Sequence, residues 1–169
     1  GVSIFDVSGH GISSGLITLL ARSIISRHFN MTTDGNLAKT IENINSDLIG
    51  EIGSVDSYLT GILLRMKGNS VEYVNASHPD LLIRRGKTGN VLQVKPHDRS
   101  LKGMLLGKEG IAGEFDVLNF NISNGDYLLA YTDGFTECCN ANRENYGEER
   151  LGKAFKNAPS GSARDILDF

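Results

Sequence analysis

The sequence of 169 residues has only two cysteines, three prolines and no tryptophan. Cys138 and Cys139 are adjacent and could pair only through a strained eight-membered ring. We therefore expect no disulfide framework. A reducing, cytoplasmic location is expected instead. No apolar run reaches the roughly 18 residues that a membrane span needs, because Arg22 interrupts the best candidate at residues 15–25. These absences exclude a disulfide-rich secreted domain and predict that no part of this segment crosses a membrane.

The sequence also lacks an excess of basic charge. It has 17 Lys and Arg residues against 20 Asp and Glu residues, which gives a net charge of −3. Proteins that bind nucleic acids or anionic membranes usually show a basic excess, so no nucleic-acid partner is expected. Hydrophobic residues make up 40% of the chain and charged residues 22%, a mixture that predicts a folded core rather than disorder.

The first elements predicted from the pattern are a strand and two helices. A β-branched and aromatic run predicts a buried strand at residues 2–7. The apolar spacing from Ile12 predicts a helix that is covered on most sides. Asp34 is the expected N-cap of a second helix that ends at Gly50 and Gly53. The inner face of this second helix is predicted to be formed by Leu37, Ile41, Ile44 and Leu48.

Strands dominate the rest of the sequence. They are predicted at residues 58–66, 70–76, 81–85, 91–94, 115–122 and 127–132. A loop rich in Gly and Lys is predicted from about residue 95 to 113, and helices return from about residues 148 and 163. The order of elements predicts an α+β fold, with helices outside a largely antiparallel sheet system.

Two acidic residues are the main candidates for chemistry, because each is predicted at the carboxyl end of a strand: Asp6 and Asp133. Two carboxylates that converge in one cleft repel each other unless a cation lies between them. Mg²⁺ and Mn²⁺ suit such oxygen ligands. Simpler alternatives stay open: Asp133-Gly134 is also a common turn signal, and Asp6 could accept backbone N–H bonds at the start of the following helix.

A glycine-rich loop separates the first strand from its helix and reads G-H-G-I-S-S-G at residues 9–15. Such a loop can cradle phosphate, but the dinucleotide fingerprint also needs a second parallel strand, which is not predicted. His10, between two glycines, is expected to be exposed and could donate a proton. His78 is interpreted as structural, and Arg84 and Arg85 as a solvated strand end rather than a substrate clamp.

Four segments together resemble a known family. Residues 6–11 read D-V-S-G-H-G, residues 75–79 read N-A-S-H-P, residues 128–137 read L-L-A-Y-T-D-G-F-T-E, and residues 146–151 read Y-G-E-E-R-L. In this order they resemble the signatures of bacterial metal-dependent serine/threonine phosphatases of the type 2C superfamily. The matching branch includes stage II sporulation protein E and phosphatases that regulate sigma factors. Ser77 stands where that family usually has Gly.

The resemblance implies a four-layer α-β-β-α sandwich with two mainly antiparallel sheets, over residues 1–169 as a single phosphatase-like domain. It implies that Asp6 bridges two Mn²⁺ or Mg²⁺ ions, that the Val7 carbonyl contacts one of them, and that Asp133 ligates the other. A metal-activated water would attack phosphoserine or phosphothreonine, and His10 would protonate the leaving oxygen. The glycines Gly9, Gly11 and Gly134 would shape the loops of this site.

The resemblance also implies two acidic ligands that these 169 residues do not contain, one before the first motif and one near the carboxyl terminus. We therefore expect a domain truncated at both ends, with weak or absent metal occupancy and low activity. Exposed sheet edges favour self-association. The implied substrate is a phosphorylated, anti-anti-sigma-like regulatory protein. The alternative is a non-catalytic signalling or partner-binding domain of the same fold. The domain is expected in the cytoplasm, in a parent protein that could be attached to a membrane.

Overall fold

The computed structural model describes residues 1–31, 36–95, 103–111 and 114–168. Its elements are β1 (Val2–Val7), α1 (Ile12–Met31), α2 (Leu37–Ile52), β2 (Leu59–Lys67), β3 (Ser70–Ala76), β4 (Leu81–Arg84), β5 (Val91–Val94), β6 (Val117–Asn121), β7 (Tyr127–Leu129), α3 (Asp133–Thr136), α4 (Gly147–Asn157) and α5 (Ala163–Leu167). The strands form two antiparallel sheets, in the orders β1-β2-β3-β6 and β5-β4-β7. The predicted α+β class with two antiparallel sheets is confirmed.

The chain divides into two compact units. The first comprises residues 1–78 and 96–121, and the second comprises residues 79–95 and 122–169. Each unit has its own sheet and its own cluster of buried apolar side chains. The single phosphatase-like domain over residues 1–169 stays a prediction.

Helix α2 supplies the main buried face of the first unit. All four predicted inner-face residues are fully buried: Leu37, Ile41, Ile44 and Leu48. The predicted N-cap was wrong, because Asn36 fills that position and its Oδ1 accepts the Ala38 N–H at 2.8 Å. Asp34 lies outside the described residues. The helix runs through Gly50, and only Gly53 ends it.

Helix α1 is less covered than predicted. Ala21, Ile24 and Ile25 are buried, but the ring of apolar residues does not continue around the helix. Ile12, Leu16 and Leu19 are 86%, 64% and 64% exposed. Among the described residues, α1 contacts chiefly α2 and β1, so these neighbours cover one side only. Apolar spacing identified the helix correctly but could not show how many neighbours surround it.

The pairing of β1 with β2 fixes which residues stand beside Asp6. Phe5 lies opposite Gly61, and a Cβ atom on Gly61 would lie 2.2 Å from the Phe5 ring. Only glycine permits this close approach, and the aromatic ring then covers the glycine backbone. Because a one-residue slip would turn every side chain to the other face, this contact helps to hold the register. In that register Asp6 lies directly opposite Thr60.

The second unit has shorter strands than predicted. β7 ends at Leu129, so Asp133 is not at a strand end but is the first residue of the short helix α3. The core of this unit consists of Leu82, Tyr131, Leu151 and Phe155. Across the described ranges, no helix is both long enough and apolar enough to span a bilayer.

Candidate active site

The end of β1 and the loop that follows it contain most of the predicted site residues. Asp6 and Val7 are the last two residues of the strand, and both are half-buried. Gly9 and Gly11 both have φ of +89°, in the left-handed region that glycine adopts without steric cost. His10, between them, is exposed, as expected. The chain therefore leaves the strand after Val7 and exposes the His10 imidazole to solvent.

Ser8 anchors this loop. Its N–H donates to the Tyr58 carbonyl at 2.9 Å, and its Oγ accepts the Tyr58 N–H at 2.9 Å. The Ser8 and Ser57 hydroxyls lie 3.2 Å apart, and Ser14 Oγ donates to the Ser8 carbonyl at 3.3 Å. These bonds tie the loop both to the segment before β2 and to the first turn of α1. The motif contained Ser8, but its partner Ser57 carried no sequence signal.

A buried turn at residues 75–79 lies beside the pair of strands β1 and β2. His78 is 1% exposed, and its Nδ1 lies 2.8 Å from Thr60 Oγ1. Its N–H donates to Asn75 Oδ1 at 2.8 Å, and its carbonyl accepts from Asn75 Nδ2 at 3.0 Å. Ser77 has φ of 54° and donates its hydroxyl to the Gly103 carbonyl at 2.6 Å. Burial and this hydrogen bonding fit the structural interpretation of His78.

The first sheet also bears on the dinucleotide interpretation of residues 9–15. The strand that pairs with β1 is β2, and it runs antiparallel to β1. A dinucleotide site needs a parallel strand after the first helix. The named strands of this sheet pair only antiparallel, so that interpretation lacks its structural context.

Asp133 lies in the second unit, at the start of α3, and it is exposed. Its carbonyl accepts the Glu137 N–H at 2.8 Å and the Thr136 hydroxyl at 3.1 Å. Gly134 follows inside the helix and is not among the positive-φ glycines. The short helix therefore holds the backbone of Asp133 and leaves its carboxylate accessible.

Tyr131, two residues before Asp133, is buried in the core of the second unit. Its hydroxyl has no hydrogen-bond partner among the described residues. Burial, together with the nearby Glu148 and Asp80 carboxylates, raises the pKa of Tyr131 to about 12. The phenol is neutral at physiological pH and packs in the core of the second unit.

The structure corrects the interpretation of Arg84 and Arg85 as a solvated strand end. Arg84 is 4% exposed and lies against the rings of Tyr127 and Phe155, with its guanidinium carbon 4.6 Å and 5.3 Å from their centroids. Arg85 forms an ion pair with Asp126 at 2.8 Å. Both arginines are thus bound by the protein itself.

The donor chemistry of the predicted ligands fits a hard divalent cation. The Asp6 and Asp133 carboxylates and the Val7 carbonyl offer oxygen atoms only, which Mg²⁺ and Mn²⁺ prefer. Within the part of the chain that the structure describes, no group of three or more His, Cys, Asp and Glu side chains could hold a metal ion. Asp6 and Val7 belong to the first unit and Asp133 to the second, and their joint role as metal ligands stays a prediction.

Comparison with solved structures identifies the fold. The chain superposes on the SiaA-PP2C domain of Pseudomonas aeruginosa with a TM-score of 0.80 at 15% identity, covering 98% of this chain and 64% of that chain. The PP2C phosphatase domain of SpoIIE from Bacillus subtilis gives a TM-score of 0.74 at 17% identity, covering 98% and 46%. The fold is therefore that of the PP2C-type phosphatases.

Sequence comparison then gives the family. The model for stage II sporulation protein E (SpoIIE) matches residues 1–169, and the chain belongs to this family of PP2C-type serine/threonine phosphatases. It is 29% identical over 142 residues to the phosphoserine phosphatase RsbP of Bacillus subtilis, covering 79% of this chain and 32% of RsbP. The chain thus spans about a third of that curated relative.

Proposed function

We propose that this chain is the catalytic domain of a metal-dependent phosphatase that hydrolyses phosphoserine or phosphothreonine. The observation that carries the proposal is the family match across residues 1–169, with the D-V-S-G-H-G segment at the end of β1. The relative RsbP is a phosphoserine phosphatase, which supports the same substrate chemistry. The proposed substrate is a regulatory protein of the anti-anti-sigma kind.

The proposed metal ligands are Asp6, the Val7 carbonyl and Asp133. Asp6 is suited to this role because it is half-buried in a strand whose register is held by the contact between Phe5 and Gly61. Bound Mn²⁺ or Mg²⁺ would lower the pKa of a water molecule, so that hydroxide is available to attack phosphorus at neutral pH. The chain's own contribution is to hold the backbone of Asp6 at the end of β1 and that of Asp133 at the start of α3.

His10 is the proposed proton donor. Its exposure and its position between two left-handed glycines give the imidazole access to a bound phosphoester without burying it. A serine or threonine leaving oxygen is strongly basic and needs a proton as the bond to phosphorus breaks. An imidazole N–H is a suitable donor for this proton.

The proposal is tested by hydrolysis of an aryl phosphate by the full-length protein in the presence of Mn²⁺. The Asp6→Asn and Asp133→Asn variants keep the side-chain shape but remove the negative charge, so we expect each to lower kcat/KM by at least about 100-fold. Asp168→Asn is the matched control, since Asp168 is exposed near the end of α5.

Unchanged hydrolysis in the Asp6→Asn and Asp133→Asn variants would show that these residues are not the ligands. No hydrolysis by the wild-type protein at any Mn²⁺ or Mg²⁺ concentration would instead favour the non-catalytic signalling domain of the same fold.

A further inference from the structure

The residue directly opposite Asp6 has no role in the proposed function so far. In the β1–β2 register this residue is Thr60. Directly opposed residues of an antiparallel pair have Cβ atoms about 4.5–5.5 Å apart, on the same face of the sheet. The Thr60 side chain is therefore the directly opposed cross-strand neighbour of the proposed metal ligand.

The Thr60 side chain is held by a hydrogen bond. Its hydroxyl lies 2.8 Å from His78 Nδ1, and His78 is 1% exposed. A threonine side chain has few allowed rotamers, and one that also binds a buried partner is confined to a single orientation. The position of the Thr60 methyl and hydroxyl groups beside Asp6 is thus set by the imidazole.

His78 is in turn fixed from the other side. The Asn75 side chain bonds both backbone groups of His78, at 2.8 Å and 3.0 Å, and Pro79 restricts the backbone that follows. The preceding Ser77 bonds the Gly103 carbonyl at 2.6 Å. This rigid turn is the N-A-S-H-P segment, which the proposed mechanism had not otherwise used.

We propose that Thr60 is a positioning residue for Asp6, and that the buried turn at residues 75–79 acts on the candidate metal centre through the hydrogen bond between His78 and Thr60. This inference rests on the proposed function for its consequence, because a carboxylate held in one orientation binds a cation more tightly than a mobile one. The positioning itself does not require a bound metal.

The experiment measures the side-chain rotamer of Asp6 by NMR three-bond couplings in the metal-free, full-length protein. The variants are Thr60→Val, which keeps the shape and removes the hydroxyl, and Thr60→Ser, which keeps the hydroxyl. Thr18→Val is the control, because Thr18 is exposed on α1. We expect one dominant Asp6 rotamer in the wild type, Thr60→Ser and Thr18→Val, and averaged couplings in Thr60→Val.

A calorimetric titration with Mn²⁺ alone provides the second readout. We expect the dissociation constant to rise about tenfold in Thr60→Val and to stay near the wild-type value in Thr60→Ser. Equal Asp6 couplings in Thr60→Val and the wild type would overturn the inference, even if Thr60→Val were less stable. An ordered Asp6 that depends on the Thr60 hydroxyl, in a protein without phosphatase activity, would support the inference and contradict the proposed function.

Discussion

Ser77 and Arg143 are non-glycine residues with left-handed backbone, at φ of 54° and 62°. The left-handed region costs a residue with a Cβ atom about 1–2 kcal/mol. At Ser77, where the resembling motif has glycine, the hydroxyl bonds the Gly103 carbonyl at 2.6 Å. This bond offsets much of the backbone cost, which explains how the N-A-S-H-P turn keeps its shape without its glycine.

Two substitutions at Ser77 separate these effects. Ser77→Ala keeps the strained backbone and removes the hydrogen bond, so we expect the free energy of unfolding to fall by about 1 kcal/mol. Ser77→Gly removes both the strain and the bond and should leave stability within about 0.5 kcal/mol of the wild type. Urea denaturation measures both changes.

Arg143→Gly is the comparison for these variants, because Arg143 is exposed and the substitution relieves the backbone alone. This substitution should raise the free energy of unfolding by about 1 kcal/mol. Equal stabilities for Ser77→Ala and Ser77→Gly would show that the left-handed backbone of Ser77 carries no measurable cost.

The proposed role of His10 predicts a dependence on the leaving group. A seryl oxygen needs protonation, whereas p-nitrophenolate leaves readily without it. His10→Ala should therefore lower kcat for a phosphoserine peptide by about 100-fold and kcat for p-nitrophenyl phosphate by much less. Steady-state kinetics on both substrates measure this difference. Equal losses on the two substrates would assign His10 to another task.

Among the elements of the second unit, two arginines at the end of β4 connect the sheet to its neighbours: Arg84 and Arg85. The Arg84 guanidinium donates to the carbonyls of Phe155, Ala158 and Pro159, at the carboxyl end of α4. A cation is favourable there because the last carbonyls of a helix have no intrahelical partner. Arg84 thus attaches α4 to the sheet of this unit.

Arg84→Met should retain the packing against Tyr127 and Phe155 but leave these carbonyls without their donor. Unpaired buried acceptors cost about 1–3 kcal/mol, so we expect a loss of about 3 kcal/mol in the free energy of unfolding, by urea denaturation. Arg22→Met, at an exposed position, should change stability by less than about 0.5 kcal/mol. Similar effects of the two substitutions would contradict the anchoring role of Arg84.

Asp126 joins the turn before β7 to the hairpin loop after β4. Its carboxylate accepts the Gly86 and Ser123 N–H groups and pairs with Arg85, and its side chain is 4% exposed. Burial alone would raise the pKa of Asp126, but the two amide donors and the guanidinium outweigh it and hold the pKa below its ordinary value. Folding therefore favours the ionised form.

This depressed pKa has a consequence for acid stability. Above about pH 4 the carboxylate is ionised in both states and stabilises the fold, and the stabilisation is lost as the pH falls through the lower pKa of the folded state. Asp126→Asn should lower the free energy of unfolding by about 2 kcal/mol at pH 7. At pH 2 the free energies of unfolding of Asp126→Asn and the wild type should differ by less than at pH 7. Urea denaturation at both pH values measures this difference.

The sequence predicted the helices and strands better than the tertiary contacts that their side chains make. The helical spacing of the apolar residues predicted the buried side of α2 correctly at Leu37, Ile41, Ile44 and Leu48. The burial of Arg84 was not predicted, because its partner carbonyls lie more than 70 residues away in the sequence. The start of α3 at Asp133 was missed because four residues are too few to produce a periodic pattern.

The motifs predicted part of the candidate site, namely the residues that follow one another in the sequence. Asp6 and the glycine loop lie where the strand pattern predicted them, at the end of β1. Thr60 could not be found in this way, because its place beside Asp6 depends on the β1–β2 register and not on sequence proximity. The roles of Asp6, Val7, His10 and Asp133 in metal binding and catalysis stay predictions.

At the scale of the whole molecule, the family match covers residues 1–169, but the chain spans only 32% of RsbP. A phosphatase that recognises a regulatory protein uses surfaces beyond the few residues that do the chemistry. The proposed function concerns the chemistry alone: hydrolysis that depends on a divalent cation, with Asp6 and Asp133 as proposed ligands.

The most direct test is the release of inorganic phosphate from a phosphoserine peptide by the full-length protein, before and after metal removal. We expect release with Mn²⁺ or Mg²⁺, loss of at least about 100-fold after EDTA treatment, and recovery when either cation is restored in excess. Phosphate release that continues unchanged in EDTA, or that never occurs with either cation, would contradict the claim.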